Sequence, residues 1–432
     1  MENTKISYKE AVSYLYGLQK FGIKFGLSKT SNLLEAVGNP HNGQQYIHIG
    51  GTNGKGSVAS FIASILIKAG LKVGFYSSPH LIRFTERFKI NDKEISQNKA
   101  AALVEYLMDI FDPEEPPTYF EATTAMALIY FAEEETDIAI MEVGMGGRLD
   151  ATNVITPLIS VITNISKEHK EFLGTRLLDI AGEKAGIIKK RVDLVTGATQ
   201  TNIINLFQSI AKEKGAPFWR VGTNMRYRIT GSGLHYNGIN RRLKTLQLGL
   251  RGKHQGRNAA IALAVIELLE NKGYEISSRA IRQGLKDTSW PGRMHVIAYN
   301  PTIILDGAHN PVAVKVLVDS LKHEFIYKRL ILVVGIMEDK DIKELLREIV
   351  PMAQYIIYTR PEYFRAAEPE VLMSEAAIWK RPGEVVPVLT NALDRAMEIS
   401  DDHDLIVVCG SLFTVGEAMT YLDPDSCQPD GF

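Results

Sequence analysis

The run Gly50-Gly51-Thr52-Asn53-Gly54-Lys55-Gly56-Ser57 holds the densest set of phosphate-handling groups in this chain. It follows the strand-like Tyr46-Ile47-His48-Ile49 and opens onto a helical pattern from Val58, the context a phosphate-cradling loop requires. Such a loop aims backbone N–H groups and a helix N-terminus at an anion, and Lys55 adds a mobile cation over the terminal phosphates. A nucleotide is therefore the expected ligand, cradled by Thr52, Asn53, Gly54, Lys55, Gly56 and Ser57. The match to G-x-x-x-x-G-K-[ST] fails at two places: Ile49 stands where the first Gly belongs, and Gly56 where a hydroxyl should follow the lysine. Ser57 comes one residue late, and one helical residue turns a side chain by roughly 100°, which calls for a hydroxyl from elsewhere to meet the metal. A Gly-rich turn with an incidental lysine is the plain alternative, and the flanking strand and helix argue against it.

Further polar groups stand where apolar runs stop. Glu142 ends one, followed by Gly144, Gly146 and Gly147, which let backbone approach a ligand closely. Glu168-His169 follows another, Ser78 a third, and Lys184 lies in Gly182-Glu183-Lys184-Ala185-Gly186. Alone, each reads as a cap, a salt bridge or a solvated side chain. Gathered at neighbouring strand ends, they supply oxygen and nitrogen ligands for Mg2+ bridging phosphates. Later, His254-Gln255-Gly256-Arg257-Asn258 begins a helix, Arg293 follows Trp290-Pro291-Gly292, and Asp306-Gly307-Ala308-His309-Asn310-Pro311 caps a strand. Asn suits an adenine edge, Arg a phosphate and Asp a ribose hydroxyl, although a cap or turn explains any one of them.

The elements that must position these groups alternate in type. Apolar runs at 72–76, 137–143, 159–164 and 192–196 read as buried parallel strands with amphipathic helices between them, the pattern of a doubly wound α/β domain with its ligand at the strand C-termini. Residues 219–250 change to short alternating pieces broken by Gly231, Gly233 and Gly238, expected to form a small antiparallel sheet. A second α/β series runs through 302–306, 330–334, 355–358, 385–388 and 405–409. The expected fold is an N-terminal P-loop doubly wound domain with its small sheet over residues 1–295, and a smaller Rossmann-like α/β domain over residues 296–432.

Composition closes off several classes. A formal net charge of -1 provides no field for a polyanion, so nucleic acid is not expected as a partner. The two cysteines, Cys409 and Cys427, make neither a disulfide framework nor a metal cluster, and the N-terminal MENTKISYKE lacks an apolar signal core. A cytoplasmic protein is expected, with no membrane attachment.

With these residues assembled, the chain resembles folylpolyglutamate synthases, often dihydrofolate synthases as well, of the Mur ligase superfamily. The resemblance rests on GTNGKGS at 51–57, SSPHL at 77–81, EVGMGGRLDATN at 142–153, EKAGII at 183–188, HQGRN at 254–258, WPGR at 290–293 and DGAHNP at 306–311. It implies an ATP-dependent acid–amino acid ligase that activates a folate or dihydropteroate carboxylate as an acyl phosphate and joins it to L-glutamate. It further implies that Lys55 and its glycines hold the ATP phosphates, and that Ser78, Glu142 and His169 surround Mg2+. Lys184 matches a carbamylated lysine of the family. Asn258, Arg293 and Asp306 match nucleotide contacts, and His309 and Ser411 match positions lining the glutamate cleft. A monomer is expected. Two departures stand out: Glu168 replaces the family's Asp before the metal histidine, and in Phe25-Gly26-Leu27-Ser28-Lys29, similar to the segment beside the pterin pocket, Lys29 replaces an Arg. A Mur-type ligase for cell-wall precursors is disfavoured by the 45 or so residues before the loop. A P-loop ATPase switch would not need a second α/β domain bearing DGAHNP.

Overall fold

The computed structural model describes residues 5–22, 26–112 and 114–430. Its first sheet has eight strands: β1 (Tyr46–Gly50), β2 (Val73–Tyr76), β3 (Phe88–Ile90), β4 (Lys93–Glu94), β5 (Ile138–Glu142), β6 (Ile159–Ile162), β7 (Asp193–Thr196) and β8 (Phe218–Arg220), in the order β4-β3-β2-β5-β1-β6-β7-β8. Strands β2, β5, β1, β6, β7 and β8 run parallel, while β3 and β4 extend the sheet antiparallel at one edge. Strand β1 lies between β5 and β6, so the C-terminal ends of three adjacent strands carry Gly51, Glu142 and Asn164 to one crevice, where open α/β sheets bind ligands.

The helix Lys55–Lys68 that leaves the phosphate loop is buried continuously from Ser57 to Leu66. It shows no polar face because it is a central layer: it contacts the strands on one side and the helices Gln255–Glu270 and Ser278–Asp287 on the other. Burial of side chains such as Phe61, Ile62, Ile65 and Leu66 contributes at most about 3 kcal/mol each. Of its buried hydroxyls, Ser60 donates to the Ser289 carbonyl and Ser64 to that of Gly284. The loop is thereby set on a helix packed on both sides.

The expected small sheet is present as β9 (Arg226–Thr230), β10 (Gly233–Asn237) and β11 (Arg242–Leu246), antiparallel throughout. Trp219 differs from expectation. It belongs to β8, a parallel strand at the edge of the large sheet, fixed by its indole N–H to Asp193 at 2.8 Å. The second sheet contains β12 (His295–Ala298), β13 (Thr302–Asp306), β14 (Leu330–Val334), β15 (Tyr355–Arg360), β16 (Gly383–Val388) and β17 (Leu405–Cys409), ordered β12-β13-β17-β14-β15-β16. Strand β12 pairs antiparallel with β13; it is an edge strand that the apolar runs did not announce.

One buried titratable group makes stability depend on pH. His48, in the middle of β1, is fully buried, shares a 2.8 Å hydrogen bond with Thr152 through Nε2, and has no partner at Nδ1 among the described residues. Burial, helped by Lys189, pushes its pKa down to about 3 from the ordinary 6.5. The folded protein thus keeps His48 neutral while the unfolded chain protonates it, so the stability it allows is intact above pH 6.5 and lost as pH falls toward the folded value. The unfolding free energy of the natural protein is expected to fall more steeply with acidification than that of His48→Gln, by up to about 1.4 kcal/mol per pH unit in urea titrations.

Candidate active site

Gly54 lies at φ 84, where a side chain would be strained, and a β-carbon there would meet the amide oxygen of Asn258 at 2.8 Å. That approach puts Asn258, held by a 2.8 Å bond to Gln255, directly against the phosphate loop. The amides of Thr52 and Asn53 are already engaged by the carbonyl and side-chain oxygen of Asn164, and the Thr52 hydroxyl bonds Ser166. These two residues therefore shape the loop, and the amides that open the helix toward a ligand begin at Gly54. Lys55 Nζ curls back onto the carbonyls of Gly51 and Thr52 at 3.2 and 3.3 Å, and the Ser57 hydroxyl receives Gln255 at 3.4 Å. Ser57 is buried, its hydroxyl engaged by a protein partner.

Beside the loop, Glu142 ends β5 buried, lies near the backbone N–H of Ser78, and has its pKa pushed up to about 7 by burial, against the pull of Lys55 and Arg293. His169 sits in the left-handed region at φ 46 and is held neutral by burial, its pKa pushed down to about 4 despite neighbouring Glu168. Lys184 is 2% exposed, with Nζ 2.6 Å from Glu168 and 3.1 Å from the Gly51 carbonyl. Burial lowers the Lys184 pKa, whereas Glu168, which burial alone would raise, is brought below its usual range by Lys184 and Lys55.

The second domain closes the crevice. Arg293 stands close enough to Glu142, Asp306 and His309 to shift all three. Asp306, at the end of β13, takes the amides of Met294 and Ala308 on its two oxygens. His309 Nδ1 donates to the Gly307 carbonyl at 2.8 Å, leaving Nε2 as an acceptor on a ring whose pKa burial pushes down to about 4. Asn310 exchanges amide hydrogen bonds with Asn53 of the phosphate loop and caps the helix Pro311–Glu324. Ser411 caps the helix Leu412–Leu422 through Thr414, two residues past Cys409, which lies opposite Asp306 in the sheet. One cluster thus joins Lys55, Glu142, Glu168, His169, Lys184, Arg293 and His309, with Ser78 and Asn258 touching it. Ser411 stands one strand away with its hydroxyl used as a helix cap.

Comparison with known proteins bears on this arrangement. Residues 49–266 match the Mur ligase middle domain, and residues 292–412 match the Mur ligase glutamate ligase domain. The dihydrofolate synthase/folylpolyglutamate synthase of Bacillus subtilis is 33% identical over 428 residues, covering 95% of this chain and 98% of that protein. The chain belongs to the folylpolyglutamate synthase/dihydrofolate synthase family of Mur ligases. Among solved structures, Escherichia coli FolC in complex with DHPP and ADP is similar at a TM-score of 0.90 with 32% identity, over 98% of this chain and 99% of that one. The bifunctional Yersinia pestis enzyme complexed with AMPPNP and Mn ion gives 0.87 with 32% identity, over 97% and 98%.

The donor groups of this Mur ligase suit a divalent cation. Glu142 is a buried carboxylate whose ionised form lacks a salt bridge among the described residues, and His169 is a neutral imidazole able to donate a lone pair. Among the described residues no group of three or more His, Cys, Asp or Glu could hold a metal ion; Mg2+ commonly takes several of its ligands from phosphate oxygens and water.

Arg87 was not visible as a site residue from the sequence. It is 6% exposed, donates Nε to His80 Nδ1 at 2.8 Å, lies over the Tyr119 ring, and has no salt bridge among the described residues. The buried Tyr119 hydroxyl beside it also lacks a partner there. A basic residue nine positions after Ser78 has no local signature, since its burial depends on the strand β3 that follows it. Lys29 donates to the carbonyls of Glu115 and Pro116, and Phe25 lies outside the described residues.

Proposed function

We propose that this Mur ligase joins L-glutamate to the carboxylate of a folate at the expense of ATP, and makes dihydrofolate from dihydropteroate in the same way. The substrate carboxylate attacks the γ-phosphorus, ADP leaves, and an acyl phosphate forms; the glutamate α-amine then attacks the acyl carbon, phosphate leaves, and the amine loses a proton. What carries this reading is the meeting of the Lys55 loop with Glu142, neutral His169, Arg293 and His309 in one buried cluster spanning both domains. Residues 1–295 form the ATP-binding part and residues 296–432 the glutamate ligase part.

Each role follows from local chemistry. The amides from Gly54 onward and the Lys55 ammonium hold the terminal phosphates, with Asn258, Arg293 and Asp306 contributing to the nucleotide. Ser78, Glu142 and His169 would hold Mg2+, which would supply charge neutralisation at the transferring phosphoryl group. Catalysis then comes from positioning and electrostatics, with no protein nucleophile. His309, a neutral ring with its Nδ1 proton committed, accepts a hydrogen bond from the incoming amine, and Ser411 lines the same cleft. Lys184, made less basic by burial, would lose one proton from its ammonium and, as the free amine, add CO2 with loss of a second; carbon-13 NMR after labelled bicarbonate, with a signal lost in Lys184→Ala, tests the carbamate.

Arg87, a buried cation that makes no salt bridge among the described residues, fits an anionic acyl substrate. Arg87→Gln is expected to raise KM for the folate by about tenfold or more while the KM for ATP moves less than about twofold. Among the described residues no helix is long and apolar enough to cross a membrane, and we place the protein in the cytoplasm as a monomer. ADP formation that requires both a folate and L-glutamate supports the ligase reading; ADP formation indifferent to glutamate would make the chain a P-loop ATPase instead.

A further inference from the structure

The loop 77–87 belongs by chain order to the ATP-binding domain, and the Ser77 N–H closes its base on the Arg87 carbonyl. Ser78 stands at its start, beside Glu142. The middle of the loop packs elsewhere. Leu81 and Ile82 join the apolar cluster of the second domain formed by Ile303, Leu305, Val408, Val415 and Met419. The helix Leu412–Leu422, capped by Ser411, presents Gly416 to the loop so closely that a methyl group there would collide with the Leu81 carbonyl oxygen. The loop is stiff where it is gripped: Glu86 accepts the amides of Leu81, Ile82 and Arg83 at 2.8, 3.0 and 2.8 Å.

A second grip comes from the segment after that helix. Cys427 is buried in the same apolar cluster, and the chain then runs back over the first domain. The Gln428 carbonyl accepts Arg83 at 3.1 Å, and the Asp430 carboxylate accepts the Phe84 N–H at 2.8 Å and the Tyr8 hydroxyl at 2.9 Å. Phe84 opens the short helix Phe84–Arg87 that carries the buried Arg87.

We propose that loop 77–87 is a coupling clamp: it is held by the second domain at Gly416 and Asp430, so that the position of the Ser411 helix sets the position of Ser78 and Arg87. Gly416 and Asp430 are positioning residues, since neither touches the reacting atoms. The proposal rests on the ligase reading above, in which Ser78 serves the phosphoryl transfer and the Ser411 helix the glutamate step that follows it. When the clamp is loose, the acyl phosphate forms but glutamate is poorly seated. Water then attacks the acyl carbon in place of the amine, releasing phosphate and regenerating the carboxylate.

The test compares the natural protein with Asp430→Ala, Asp430→Asn and Gly416→Ala, measuring ADP released per glutamate ligated, KM values, and backbone hydrogen exchange. For Asp430→Ala the clamp predicts more than about two ADP per glutamate ligated, a KM for glutamate raised about fivefold or more, and an unchanged KM for ATP. It also predicts exchange at least about tenfold faster in residues 77–87 without a change in residues 51–57. Asp430→Asn, which keeps an acceptor for Phe84, restores the natural ratio. Gly416→Ala behaves like Asp430→Ala if it folds, and Asp430→Ala alone decides if it does not. A ratio of one together with unchanged exchange in Asp430→Ala overturns the clamp. Absence of glutamate ligation in the natural protein overturns the ligase reading instead, and the exchange comparison then still decides whether the second domain holds the loop.

Discussion

Lys55→Ala is expected to lower kcat about a hundredfold or more, equivalent to roughly 3 kcal/mol of lost transition-state stabilisation. Two contributions fall together. The ammonium that would meet the terminal phosphates is gone, and the carbonyls of Gly51 and Thr52 lose the donor that now draws them together. They can be separated. A charge contribution that grows as the phosphoryl group transfers lowers kcat more than it weakens ADP binding, whereas collapse of the loop weakens both alike. We expect the first pattern, because the loop has other supports: Asn53 and Asn164 bond each other, Thr163 donates to the Asn53 carbonyl, and Asn310 reaches across from the second domain. Steady-state turnover combined with calorimetric ADP binding distinguishes the two.

Glu142→Gln is expected to change activity and stability in opposite directions. Loss of an anionic metal ligand should cost on the order of a hundredfold in kcat and raise the Mg2+ concentration needed for half-maximal rate. In the metal-free protein, however, ionised Glu142 is a burden. Burial raises its pKa from 4.5 to about 7, so stability is fully present below pH 4.5 and is lost as pH rises through the folded value. At pH 8 the neutral amide removes that penalty, worth at most about 3 kcal/mol, and the metal-free variant should melt higher than the natural protein. Saturating Mg2+ with nucleotide should reverse the ranking. A variant equally active, or one less stable at pH 8 without metal, contradicts the assignment of Glu142.

Strand ends carrying Gly51, Glu142 and Asn164 were readable because apolar runs of four or more residues stop abruptly there, and buried parallel strands leave that mark. Strand β8 has three residues, too few for any period to speak, so Trp219 read as part of the antiparallel region that follows it. Strand β12 was missed for a similar reason, since four half-buried residues next to a turn make no apolar run. Side-chain commitments were the harder matter. Thr52 and Asn53 have the residue types of phosphate ligands, yet partners at Asn164 and Ser166, more than a hundred positions away, claim them first. Ser411 likewise carries a helix cap that only the geometry reveals. The insertion of Leu81 and Ile82 into the second domain is a contact between distant segments and leaves no local pattern.

The most direct measurement is the mass of the product formed when purified protein is given ATP, Mg2+ and L-glutamate with tetrahydrofolate, methylenetetrahydrofolate or dihydropteroate in turn. The account predicts that a folate gains one or more glutamyl residues, with one ADP formed per residue added, and that dihydropteroate gains one to become dihydrofolate. Phosphate release that is indifferent to glutamate, with no mass gain on any of the three, would contradict it.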